Sequence, residues 1–168
     1  MCLDHGASGC AFQIRRADRE DSEAILACLA LAFEGYRGQY TSDGFLDTVL
    51  DSESLQLRMR DMCVLAAISE EKVVGTIGFG VSGKTGHLRG MAVLPDWQGT
   101  GVASALLRAA EDGLLESGCT LVTLDTTGPL QRATSFYEKH GFSKTGRISD
   151  FFGMALYEYS KQLSKSRL

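Results

Sequence analysis

Two glycine-rich segments of this chain have residue types and spacing that could hold a phosphate. Gly78-Phe79-Gly80-Val81-Ser82-Gly83-Lys84-Thr85 satisfies G-x-x-x-x-G-K-S/T, the loop of nucleotide hydrolases and kinases. That chemistry needs a helix directly after the lysine, because the first amides and the dipole of the helix hold the phosphates. Gly86-His87-Leu88-Arg89-Gly90 is a poor helix start, and Lys72 to Val81 is rich in Val and Ile, as a strand is. Ser82 to Gly86 therefore reads as a hairpin turn. The second segment, Gln98-Gly99-Thr100-Gly101-Val102-Ala103, follows a strand end at Val93-Leu94-Pro95 and runs into a helical pattern. Gly99 and Gly101 clear side chains from a backbone that must approach a ligand, and the helix start supplies unpaired N–H donors. A pyrophosphate fits there, and a tight strand-to-helix turn is the plainer alternative.

The elements that must position these segments follow from periodicity. Phe12 to Arg15 alternates as a short strand, and Asp18 or Asp21 can cap a helix carrying Ile25, Leu26, Leu29 and Phe33. A weaker helix is expected over Asp43 to Leu50. Cys63 to Ser69, Lys72 to Val81 and His87 to Leu94 read as three antiparallel strands. Val102, Leu106, Ala110 and Leu114 repeat every four residues, so Thr100 to Glu116 is an amphipathic helix. Gly118 ends it, and the β-branched run Cys119 to Thr126 suits a buried strand. Leu130 to His140 is helical again, and Phe142 to Lys144 and Phe152 to Tyr159 complete the sheet.

Composition narrows the function classes. The chain has 168 residues, 44% of them hydrophobic and 23% charged, which suits one soluble domain with one core. We expect that domain over residues 11–168, after a loose leader at 1–10. A net charge of −4 without a long basic run argues against nucleic acid. The apolar stretch Ala24 to Phe33 is half of the roughly 20 residues a membrane span needs, so no membrane partner is expected. Five cysteines without a CxxC pair build neither a disulfide framework nor a zinc site and fit a reducing, cytoplasmic compartment. Cys2, His5 and Cys10 are read as incidental tail residues, with no metal expected.

Gln98-x-x-Gly101-x-Ala103, preceded by Met91-Ala92-Val93-Leu94-Pro95 and followed by Ala133-x-x-x-Tyr137-Glu138-Lys139-His140-Gly141-Phe142, resembles the GNAT family of N-acetyltransferases from about His87 to Phe142. The resemblance covers the family's cofactor motif, Q/R-x-x-G-x-G/A, and the helix bearing its tyrosine. It implies a mixed α/β, α+β-like fold: a central, mostly antiparallel, splayed sheet of six to seven strands flanked by about four helices. It also implies acetyl-CoA as co-substrate and a primary amine, on a small molecule, a peptide or a protein, as acceptor. Met91, Ala92 and Val93 would pair with pantetheine like an added strand, with Gly90 and Ala92 keeping one face uncrowded. Gln98, Gly99, Thr100, Gly101, Val102, Ala103 and Ser104 would bind the pyrophosphate by main-chain N–H groups, with the Thr100 and Ser104 hydroxyls as additions. Tyr137 would protonate the leaving thiolate, where spacing alone allows an ordinary core tyrosine. Many members carry Asn seven residues earlier, and here that position is Leu130. Homodimers are common in the family.

Direct attack by a neutral amine needs a group to take its proton and donors to hold the developing oxyanion, such as the N–H of Met91 or Val93. Members using a carboxylate base often place it eleven residues before the motif, and His87 stands there. An imidazole can serve near neutral pH, although a solvated residue beside a turn is the alternative. Asp125, at a strand end, could act through water or simply cap a turn. His140 near a helix end has a favourable dipole contact as its plain role. The first helices and last hairpin, Phe33 to Phe45 and Arg147 to Met154, should set acceptor selectivity. There Glu34 and Asp150 could hold a cationic amine and Tyr36 wall a pocket, or all three could sit in solvated loops. A non-catalytic acyl-CoA-binding regulatory module is the alternative function, and a P-loop nucleotide enzyme a more distant one.

Overall fold

The computed structural model describes residues 11–165. Strand β1 (Gln13–Arg16) leads to helices α1 (Ser22–Phe33), α2 (Ser42–Val49) and α3 (Ser52–Asp61). Three strands follow, β2 (Cys63–Ser69), β3 (Lys72–Ser82) and β4 (Thr85–Val93), then α4 (Val102–Glu116), β5 (Leu121–Thr127), α5 (Gln131–Lys139), β6 (Ser143–Phe151) and β7 (Met154–Gln162). The seven strands form one sheet in the order β1-β2-β3-β4-β5-β7-β6, with β4 and β5 its parallel neighbours and every other pair antiparallel. The mixed α/β class and the mostly antiparallel splayed sheet agree with the reading of the sequence. Cys2, His5 and Cys10 lie outside the described residues.

Each face of the sheet carries its own core. Val102, Leu106, Leu107, Ala110 and Leu114 of α4 are buried against Leu65, Ile77, Leu88 and Val122. The four-residue spacing of Val102, Leu106, Ala110 and Leu114 puts one apolar stripe on the sheet, and each buried Val or Leu contributes about 1.5–3 kcal/mol. The helix lies so close that a Cβ at Gly86 would stand 2.4 Å from Leu114. On the other face Ile25, Cys28 and Leu29 of α1 and Leu55 of α3 cover Val64, Ala66, Val73 and Ala92. Ala92 is thus core under α1, and its smallness serves that packing.

The segment matching a P-loop is a strand, a tight turn and a strand. Ser82 pairs with Thr85, Gly83 has φ of 61°, and β4 begins where a helix would be required. The Lys84 carbonyl accepts the Thr120 and Leu121 amides, which ties the turn to β5.

Two expectations are corrected and one alternative is resolved. Among the described residues there are five α-helices, because Ser52–Asp61 is helical, with Asp51 capping the Ser54 amide at 2.8 Å. Leu55 is its buried residue, and its apolar residues Leu55, Leu57 and Met59 recur every second position, so no helical period was there to read. Asp18, not Asp21, makes the side-chain cap near the start of α1, accepting from Glu20 in a short 3₁₀ turn. The last hairpin is longer than Phe142 to Lys144 and Phe152 to Tyr159: β6 runs nine residues, and Phe152 and Gly153 form its turn with φ of 51° and 87°. β6 is an almost wholly exposed edge, so no alternation marked it.

Candidate functional site

A cleft of about 890 Å³ opens where β4 and β5 part. Their parallel pairing covers Thr85, Gly86 and His87 against Leu121, Val122 and Thr123. From there β5 continues on β7 while β4 turns away through a bulge. Thr76 faces Ala92 and Gly78 faces Arg89, so β4 carries one extra residue, and Gly90 within it has φ of 69°. That left-handed conformation is the reason for glycine at the bulge. The diverging backbone of Met91 and Val93 borders the opening, the gap an extended amide-bearing chain would fill. The Val93 side chain is buried in the α4 core, so what it offers is main chain.

The loop at the start of α4 is built as a turn that frees amides. Gly99 and Gly101 have φ of 80° and 93°, and a Cβ at either would meet nothing within 4 Å. The first helical bond shown for α4 is Ala105 N–H to the Gly101 carbonyl, and no side chain caps the helix. The N–H groups of Val102, Ala103 and Ser104 are therefore left for an anion, while the Val102 side chain is wholly buried. The hydroxyls suggested as additions are engaged within the protein: Thr100 Oγ1 donates to the Trp97 carbonyl, and Ser104 Oγ lies 3.2 Å from His140 Nε2. Gln98 braces the loop. Its Nε2 donates to the Val93 carbonyl at 3.3 Å, and its Oε1 accepts from Arg132 at 2.8 Å. Arg132, which also lines the cleft, carried no signal in the sequence beyond a charge on a helix.

His140 does more than meet a dipole. Its Nδ1 is 2.8 Å from the Phe136 carbonyl and its ring stacks on Phe136, so it joins the end of α5 to the first turn of α4. One turn earlier, Tyr137 is 7% exposed and packs edge-on against Phe136 and Phe142. It lines the cleft, and no buried side-chain polar atom among the described residues lacks a partner, so its hydroxyl opens to the cavity. Burial pushes the phenol up well beyond its ordinary pKa, which keeps it protonated and a donor.

His87 and Asp125, alternatives in the sequence, stand together. Parallel register sets His87 beside Thr123, and Asp125 is two residues further on the same face of β5. His87 Nδ1 is 2.8 Å from Thr123 Oγ1, and its Nε2 is 3.6 Å from Asp125 Oδ2. The Thr123 hydroxyl also lies 3.5 Å from the Gly86 carbonyl, and its bond to Nδ1 holds the imidazole ring in place. Nε2 is thereby directed at the carboxylate. Burial lowers the His87 pKa against the pull of Asp125, and burial raises that of Asp125 against the pull of His87. Two proton acceptors thus converge on one point in the cleft.

Tyr36 lines the cleft, and Tyr40 bonds Thr127 at 2.7 Å, closing the segment after α1 over β5. Glu34 and Asp150 do not line the cleft and are engaged by neighbouring groups. Glu34 is exposed and bound to Arg37 at 3.1 Å, and Asp150 accepts the Gly153 amide in the β6–β7 turn. Among the described residues no group of three or more His, Cys, Asp or Glu could hold a metal, and no helix is long and apolar enough to cross a membrane.

The family model "Acetyltransferase (GNAT) family" matches residues 25–142. The chain belongs to the GNAT acetyltransferase family. It is 33% identical over 93 residues to acetyltransferase SG1711 of Sodalis glossinidius, covering 55% of this chain and 65% of that one. It is 35% identical over 91 residues to human N-acetyltransferase 8B, covering 51% and 40%. The chain thus spans less than two thirds of these relatives' own length. Among solved structures, the PaiA N-acetyltransferase of Thermoplasma acidophilum in complex with coenzyme A superposes with a TM-score of 0.76 at 20% identity, over 90% of this chain and 98% of that one. The ribosomal-protein-S18-alanine N-acetyltransferase of Escherichia coli gives 0.74 at 16%, over 93% and 96%. At such identities these two speak for the fold.

Proposed function

We propose that this GNAT protein transfers the acetyl group of acetyl-CoA to a primary amine by direct attack of the amine. The observation carrying this reading is the parting of β4 from β5, which leads at one end to the free amides of Val102, Ala103 and Ser104 and at the other to the His87–Asp125 pair. The donor set fits an acyl-CoA: amides at the positive end of α4 for a pyrophosphate, and unpaired strand backbone for the amides of pantetheine. A thioester bound there would supply the activated acyl group.

The chain's own residues then have separable tasks. The His87–Asp125 pair takes the ammonium proton, because His87 is neutral at neutral pH and presents Nε2 toward the carboxylate. The main-chain N–H of Met91 or Val93 faces the developing oxyanion. Tyr137, held protonated by burial, gives its proton to the departing thiolate. Among the described residues the thiols of Cys28, Cys63 and Cys119 are free, which supports a cytoplasmic setting. A panel of amines with detection of released CoA tests the reading. Release with at least one amine supports transfer. Acetyl-CoA binding without release from any amine would make the chain a binding module.

A further inference from the structure

Besides Arg132, which bonds Gln98, the cleft holds two arginines that the proton-transfer pair does not use. Arg89 follows His87 by two residues on β4, which puts it on the same face, and it binds Asp47 of α2 at 3.2 Å. Arg58 of α3 lies over the bulge: a Cβ at Gly90 would stand 2.6 Å from its Nη1. Burial and the charge of Arg89 lower the Arg58 pKa to about 10, which leaves it a cation at neutral pH. The nearby carboxylate of Asp47 is taken by Arg89. Among the described residues Arg58 has no ion pair or side-chain hydrogen bond, and none of its nitrogens is sealed from solvent, so its donors open into the cleft. A half-buried guanidinium is costly unless an anion meets it, and its planar fork matches a carboxylate.

We propose that Arg58, with Arg89 beside it, anchors a carboxylate of the acceptor, so that the acceptor is an amino acid or similarly small amine acid whose nitrogen meets the His87–Asp125 pair. The proposal rests on the acetyl-transfer reading and names its substrate class. Three residue steps along the strand lead from His87 to the Gly90 position, about 10 Å at most. A donor–acceptor contact at each end takes about 3 Å of this. The span left suits an amine and a carboxylate in one small molecule. The glycine at 90 has a second consequence, since any side chain there would occupy the place of the guanidinium.

The test compares free amino acids with their carboxamides, which keep the amine and lose the negative charge. In the wild type, acids should exceed amides in kcat/KM by about 10–100-fold, the range for a hydrogen bond to a charged group, and chiefly through KM. Arg58→Gln should collapse that ratio while the KM for acetyl-CoA stays within about twofold, and Arg58→Lys should keep part of it, which guards against a variant that merely folds badly. Amides reacting as well as acids, or a ratio that survives Arg58→Gln, overturns the anchor. So does a rise in the acetyl-CoA KM alone, which would assign Arg58 to the cofactor. Calorimetry of amino acids on the CoA-bound protein separates this from the parent reading. Amino-acid binding lost in Arg58→Gln, with no CoA released from any amine, would uphold the anchor and end the transfer proposal. Transfer to acids and amides alike would do the reverse.

Discussion

The two ends of the cleft are made in different ways. Around α4 the site consists of main chain: a bulge, two glycines in left-handed conformation and three amides left over by a helix start. Around α1–α3 and β5 it consists of side chains from distant parts of the chain, with Arg58 and Asp47 brought over His87, Arg89 and Asp125. A main-chain site needs small residues at fixed spacing and tolerates many side chains nearby. A side-chain site needs particular atoms and can be respecified by single substitutions. The comparison predicts that damage at the first end removes cofactor binding outright, while damage at the second end changes rates and preferences.

Gly101→Asp should have the largest effect. With φ of 93°, Asp cannot adopt the extended conformation in which it caps helices, and it brings a negative charge to the anion site. Acetyl-CoA binding by calorimetry should be lost, while Gly101→Ala, with similar backbone strain and no charge, should retain a weakened affinity. Lys84→Ala should bind normally, because Lys84 lies in a hairpin turn. Equal losses in the Asp and Ala variants would mean that strain, and not charge, governs the loop.

Tyr137→Phe comes next. The ring contacts with Phe136 and Phe142 remain and only the hydroxyl goes, so kcat should fall by about 10²–10⁴-fold with the acetyl-CoA affinity preserved. Wild-type kcat across the pH range would leave Tyr137 as a core residue.

The same contrast explains what the sequence disclosed. Gln98 to Ser104 could be read because a main-chain site is local: its glycines, the preceding strand and the stripe of α4 are contiguous. His87 and Asp125 could each be named, but not as a pair, since their meeting depends on the register of β4 against β5, 36 residues from His87 to Thr123. Arg58 was invisible because its helix offers Leu55 as its buried residue, and a charged residue on a polar helix is ordinarily solvated. Glu34 and Asp150 stood out for the converse reason: they are acidic residues in exposed loops, and their local partners, Arg37 and a turn amide, appear only in the structure.

The pH profile sharpens the comparison at the second end. The base works deprotonated, and burial holds the His87 pKa below its ordinary 6.5. The enzyme's limb of kcat/KM should therefore lie below that value, with the base fully available above it. The acceptor amine gives a separate limb at higher pH that moves with its own pKa. His87→Ala should lower kcat/KM by about 10²-fold and remove the lower limb while leaving the upper one, as expected for loss of a general base. A lower limb that persists unchanged would transfer the role to Asp125, whose Asp125→Asn variant would then remove it.

The smallest effect is expected at Thr123, which touches neither the amine nor the thioester and acts only through His87. Its hydroxyl bonds Nδ1, and that bond directs Nε2 toward Asp125. Thr123→Val fills nearly the same volume but offers no hydroxyl, so the imidazole can rotate and Nε2 loses its fixed direction. One neutral hydrogen bond is worth about 0.5–1.5 kcal/mol, so kcat/KM should fall by about 2–10-fold. Thr123→Ser, which restores the hydroxyl, should recover most of it. The loss should appear above the lower limb, where His87 is already neutral, because what is missing is orientation and not deprotonation. Val and Ser variants equal to each other would show that the ring is held by its packing alone, and that the bond from Thr123 has no orienting role.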